Sequence, residues 1–131
     1  MTSEQSLSKA ERVSSKIAID ELFNGGHSCS MAAFPLRMVW QEKERQDGEP
    51  QAQLLISVPK KFLRRAVKRN RAKRQIREAY RRHKILLTSA MNGHADRKVV
   101  VALIWLDSRL HGSAHVERKV ESLLQRLSEK L

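Results

Sequence analysis

The order of apolar and polar residues changes period several times along the chain. Ile17, Ile19, Leu22 and Phe23 recur at helical spacing, which predicts a short helix over 15–23 that Gly25-Gly26 can stop. From 31 to 41 the period drops to two, with Phe34, Leu36, Met38 and Trp40 in step, and Pro35 marks an edge or a bulge near the start. Residues 42–50, charged and containing Asp47-Gly48, read as a hairpin loop before a second strand over 51–58 that Pro59 ends. The period then lengthens to that of a helix over 65–87, and Asn92-Gly93 breaks the chain. Residues 98–106 form a nearly continuous apolar run (Val99, Val100, Val101, Leu103, Ile104, Trp105), the pattern of a central strand buried on both faces. Val116, Val120, Leu123, Leu124, Leu127 and Leu131 then make the stripe of a terminal helix that Ser113 can cap. The order α-β-β-α-β-α, with one strand open to splitting, is an α+β fold: three helices packed on a small sheet of about four strands.

Length and charge sharpen this picture. With 131 residues, 40% of them apolar, the chain suits a single domain over 1–131, and the polar, charge-alternating residues 1–12 are expected to be a flexible segment. No apolar run approaches the roughly 18–20 residues that span a bilayer, nor does the start resemble a secretory signal. A cytoplasmic location with no membrane partner is therefore expected. Cys29 has no second cysteine to pair with, and no Cys/His spacing suggests structural zinc. The formal net charge is +12, and residues 60–84 hold thirteen Lys and Arg against Glu78 alone, so this one segment carries the whole excess. Charge so concentrated calls for a polyanionic partner.

Projected at about 100° per residue, Ala72, Ile76, Ala79, Tyr80, His83 and Leu87 fall on one side of the long helix, the side expected to pack on the sheet. Asn70, Lys73, Arg74, Arg77, Arg81 and Lys84 line the other, flanked by Arg71 and Arg82. An ordinary solvated face mixes signs to gain pairs three and four residues apart. This stripe places like charges on adjacent turns, an arrangement suited to phosphates.

These residues carry a resemblance. Arg69-Asn70-Arg71, continued by Lys73-Arg74, Arg77-Glu78-Ala79-Tyr80-Arg81 and preceded by Ser57-Val58-Pro59-Lys60-Lys61 and Ala66-Val67, resembles the signature of the bacterial ribonuclease P protein subunit. Leu22-Phe23, Gly26 and Phe34-Pro35-Leu36-Arg37 extend the likeness toward the start of the chain. The resemblance implies a small α/β domain with a left-handed β-α-β crossover. It implies a protein that assists a catalytic RNA in removing the 5′ leader of precursor tRNA, so that the RNA carries the catalysis and the protein has no catalytic residue. By position it implies contacts to the catalytic RNA from Lys60, Lys61, Arg65, Lys68, Arg69, Asn70, Arg71, Lys73, Arg74, Arg77 and Arg81. It places a leader-binding cleft at Ile19, Phe23, Phe34, Leu36 and Ser57. The expected partners are the catalytic RNA and precursor tRNA, with no obligate protein partner. Mg²⁺ is expected to serve the RNA-protein particle, without a protein-only metal site. Ile19 stands where many family members have a second aromatic residue, the segment 61–66 lacks a glycine often found before Ala-Val, and residues 101–105 replace a frequent Arg-x-Pro.

Other constellations are weaker. His111 and His115 read as surface histidines beside a helix start, Cys29 as a buried or half-buried thiol, and Trp40 and Trp105 as core or sheet-face residues. Glu42, Glu44, Asp47 and Glu49 are too dispersed for paired acid-base work. A ribosomal or other structural RNA-binding protein could use the same basic helix, and a DNA-binding module would lack the usual dimerisation or helix-turn-helix context.

Overall fold

A computed structural model describes residues 11, 12, 20, 22–24 and 26–131. Of the helix expected over 15–23, Asp20 and residues 22–24 are helical, and the rest, including Ile19, lies outside the described residues. So does most of the segment 1–12; its last two residues are engaged, Arg12 in a parallel bridge with Leu54 and Glu11 as an acceptor for the Lys84 ammonium.

The sheet has four strands: β1 (Cys29–Ala33), β2 (Leu36–Glu44), β3 (Ala52–Ser57) and β4 (Arg97–Trp105). Its order is β1-β2-β4-β3. Strands β1 and β4 lie antiparallel to β2 on either side of it, and β3 lies parallel to β4. Parallel neighbours need a crossover, and helices α1 (Ala66–His83) and α2 (Ile85–Ala90) supply it. Helix α3 (Ser113–Ser128) follows β4. The observed α+β class agrees with the predicted one, but residues 42–50 do not close the expected hairpin, because β4 lies between β2 and β3.

Several boundaries differ, each for a local reason. The strand expected over 31–41 is two, because Phe34-Pro35, joined by a cis peptide bond, forms the turn of a tight hairpin that pairs Ala33 with Leu36. The single helix expected over 65–87 is interrupted at Lys84, where α1 gives way to α2. Ser113 does not cap α3; Gly112 occupies that position and the Ser113 hydroxyl accepts a hydrogen bond from Gln75 instead.

Alternation along the strands sorts the sheet into two faces. Leu36, Met38, Trp40, Leu54, Val99, Val101, Leu103 and Trp105 join Ala72, Ile76, Ala79 and Tyr80 of α1 and the leucine stripe of α3 in the main core. Val39, Val100 and Ala102 form a smaller cluster on the opposite face with Leu22, backed by Leu55 and Ile104. That double coverage is why β4 is apolar at nearly every position. The tryptophans belong to the main core, as expected, whereas Cys29 is exposed because it begins an edge strand with one neighbour only.

Candidate nucleic-acid interface

The path from β3 to α1 sets out the first cations. Pro59 has no amide hydrogen to continue the ladder, and its carbonyl accepts from the amides of Phe62 and Leu63, closing a turn that leaves Lys60 and Lys61 exposed. Leu63 plugs the core and Phe62 packs against it. The Lys61 ammonium lies 5.1 Å from the Phe62 ring centroid, within cation–π range. Lys61, Arg64, Arg65 and Lys68 surround one shallow depression, which Phe62, Leu63 and Ser108 complete. Four cations around one hollow suit an anion.

Helix α1 continues the charge. Its buried residues are Ala72, Gln75, Ile76, Ala79 and Tyr80, four of them the residues expected there; Gln75 is the addition. The outward side carries Asn70, Arg71, Arg74 and Arg77, all exposed, with Lys73 half-buried. No ion pair or side-chain hydrogen bond joins Lys68, Arg71, Lys73, Arg74 or Arg77 to another described residue. They present the unspent charge.

Arg69, expected to contact RNA, and two predicted members of the stripe, Arg81 and Lys84, are otherwise engaged. Arg69 is half-buried, and its Nη1 donates to the carbonyls of Leu63 at 3.0 Å and Arg64 at 2.7 Å. It therefore fastens the loop that holds the anion-sized depression. Arg81 pairs with Glu78, which keeps the carboxylate below its usual range and raises the guanidinium further. Lys84 does not continue the stripe: its ammonium is buried and sits 2.9 Å from Glu11 Oε2, because the break between α1 and α2 turns it inward. Arg82 and His83 reach across to Glu117 on α3, and His83 also reaches Glu121, so the C-terminal turn of α1 is tied to α3 while its outward face stays open.

The expected cleft residues divide. Leu22 is buried on the smaller cluster and Phe23, beside it, is 40% exposed. By alternation Ser57 shares this face with Leu55 and Ile104, while exposed Arg37 and buried Val39 continue it along β2. Leu36 does not: it has 0% exposure and lies in the main core, because a period-two shift of one residue places it on the face covered by helices. Phe34 sits at the hairpin turn, 61% exposed, and its ring meets His111 from the loop before α3. Leu55 and Ile104 share the face of Ser57 although the motifs do not single them out, and Arg37, on the same face, stands in the motif without an assigned role; counting parity outward from Ser57 through the strand register finds all three.

His111 and His115 are not a solvated surface pair. Their rings stack at 5.2 Å, and His111 Nε2 lies 2.6 Å from Asp107 Oδ2. That hydrogen bond, with further ones from the Arg109 and Ser108 amides, holds the Asp107 carboxyl below its ordinary range. Among the described residues no group of three or more His, Cys, Asp or Glu could hold a metal ion. No described helix is long and apolar enough to cross a membrane.

Comparison with known proteins gives a consistent result. A family model described as Ribonuclease P matches residues 7–128. A protein named ribonuclease P protein component from Porphyromonas gingivalis is 36% identical over 127 residues, covering 93% of this chain and 86% of its own. One of the same name from Chlorobaculum tepidum is 33% identical over 102 residues, 76% of this chain and 66% of its own. Among solved structures, the RNase P protein of Staphylococcus aureus superposes with a TM-score of 0.64 at 22% identity, over 91% of this chain and 96% of that one. That of Thermotoga maritima gives 0.60 at 24% identity, over 88% and 96%.

Proposed function

Since the chain belongs to the ribonuclease P protein family, we propose that it docks on that particle's catalytic RNA through the open face of α1 and the cationic turn before it. The observation that carries this reading is the row of Lys68, Arg71, Lys73, Arg74 and Arg77, cations on which no described carboxylate is spent. Each phosphate they meet releases counterions, so affinity falls steeply with salt. Lys60, Lys61 and Arg65 extend the same footprint toward the sheet, and Arg69 shapes it by fastening the loop. Asn70 offers an amide beside them.

The proposed second contact is with the 5′ leader of precursor tRNA, held as a single strand along the face that carries Phe23, Arg37 and Ser57. Phe23 supplies a π-surface to a base and Arg37 a charge to the backbone, both indifferent to sequence. The proposal leaves hydrolysis to the RNA, with Mg²⁺ held on RNA phosphates and the particle at work in the cytoplasm. The protein's contribution is then to offset phosphate repulsion between RNA and substrate.

The test uses the catalytic RNA, with affinity measured at several salt concentrations. Arg71→Ala or Arg74→Ala weakens binding by roughly 1.5–3 kcal/mol, the range of a charge-assisted hydrogen bond, and reduces the salt slope by about one for each phosphate no longer neutralised. Ser122→Ala, at an exposed position of α3, changes neither. Equal affinity and slope in all three variants would show the stripe to be an idle solvated face.

A further inference from the structure

Four rings gather at the end of the sheet where β2 begins and β4 ends. Trp105 is fully buried and donates its indole N–H to the Asp107 carbonyl at 2.7 Å. His111 stands edge-on to it with centroids 5.5 Å apart, and edge-on to Phe34 at 6.0 Å, both at 76°. His115, one helical turn on, stacks on His111 at 19°. Asp107 fixes the His111 ring and Gln75 of α1 donates to the His111 carbonyl at 2.9 Å, so the assembly is anchored at both its side chain and its backbone. Solvent reaches most of Phe34 and part of His115. Nothing in the fold requires a large aromatic ring to remain 61% exposed beside a stacked imidazole pair.

We propose that Phe34 and the His111–His115 stack, whose planes stand nearly perpendicular, form a cornered platform for one unpaired base of the bound RNA, one wall stacking on its face and the other meeting its edge, distinct from the Phe23 and Ser57 face. Charge favours a nucleic acid over a protein as the occupant. Among the described residues the carboxylate that meets the rings, Asp107, is spent on His111. Arg109 and Arg118 are exposed nearby in sequence, and partial burial, together with the charges of Lys119, His111 and Arg118, holds the His115 imidazole below its usual range. A neutral imidazole stacks on a base while those cations meet the flanking phosphates. The platform also adjoins the RNA track: Ser108, in the same loop, lines the depression formed by Lys61, Arg64, Arg65 and Lys68. The proposal rests on the reading that RNA lies along α1.

The test binds the full-length protein to two labelled RNA probes, an adenine nonamer and an abasic nonamer with the same backbone. Phe34→Ala and His115→Ala each weaken the adenine probe by roughly fivefold or more, the lower end expected for the loss of one stack, and leave the abasic probe unchanged. Phe34→Tyr and His115→Phe keep wild-type affinity because they keep a π-face. Arg74→Ala weakens both probes alike. Wild-type affinity of Phe34→Ala and His115→Ala for the adenine probe, with Arg74→Ala weakened, would overturn the platform, assign the rings to a protein contact and leave the helix reading standing. Wild-type affinity of Arg74→Ala for both probes would overturn the helix reading instead, and the ring variants still decide the platform. Absence of any preference for adenine over the abasic probe in the wild type also overturns it.

Discussion

Arg69, Arg74 and Arg81 are one residue type on one helix, and their surroundings give them three tasks. Arg69 donates to two carbonyls of the preceding loop, Arg81 is matched by Glu78, and Arg74 meets no described partner. Arg69→Ala should therefore destabilise the protein by about 1–2 kcal/mol, since two carbonyls lose a charged donor that is only half-buried, whereas Arg74→Ala leaves the melting temperature unchanged; thermal denaturation of both variants checks this. Asp107 makes a second residue-scale prediction. Its carboxyl titrates lower in the folded chain than in the unfolded one, chiefly through His111. The stability it contributes is thus present above the ordinary aspartate range and is lost as pH falls below about 4 through the lowered folded value. Denaturation midpoints between pH 6 and 3 should fall less steeply in Asp107→Asn than in the wild type.

At the scale of elements, what was legible followed from periodicity. The leucine stripe of α3, the apolar run of β4 and the inner face of α1 each repeat one period long enough to dominate any local exception. Ile76 tests that inner face: fully buried between sheet and helices, it should cost about 2–5 kcal/mol on truncation to alanine, read from urea denaturation, while Arg77→Ala beside it stays near wild type. What escaped the sequence was decided by contacts that periodicity does not contain. Lys84 fits the basic stripe by spacing, yet Glu11, more than seventy positions away, draws it inward. Leu36 resembles a cleft residue because it follows Phe34-Pro35 in the motif, and the sheet register assigns it to the opposite face. The ring cluster was invisible for a similar reason: Phe34 and His111 are brought together by the β1–β2 turn and the loop before α3, which share no pattern. Of the candidate site, the basic helix was readable almost residue by residue, and the cleft only in part.

For the whole molecule, the crossover between β3 and β4 lifts a segment carrying all of the net charge onto one side of an otherwise neutral body. The two binding surfaces proposed above lie on different sides of the sheet, as suits a protein that bridges two RNA strands. On that reading, precursor tRNA with a leader of several nucleotides should bind the assembled particle more tightly than one with a single nucleotide. Phe23→Ala should shrink that difference, by up to the roughly 1–3 kcal/mol of one base stack, without weakening assembly on the catalytic RNA. Equilibrium binding of both substrates under conditions that block cleavage gives the answer, and an unchanged difference would make Phe23 a packing residue only.

The edge strand β1 has one neighbour in the sheet, and the Arg126 guanidinium of α3 donates to its Ala32 carbonyl at 2.8 Å. While the protein is alone, its surplus of positive charge keeps copies apart in solution. That repulsion acts at a distance and is screened by salt, so it does not by itself stop open strands from zipping into fibrous aggregates. A side chain anchored on a neighbouring helix, occupying a carbonyl that an incoming strand would need, remains in place whatever the charge of the particle. The lock on β1 thus guards the open edge at short range, where screened charge gives no protection.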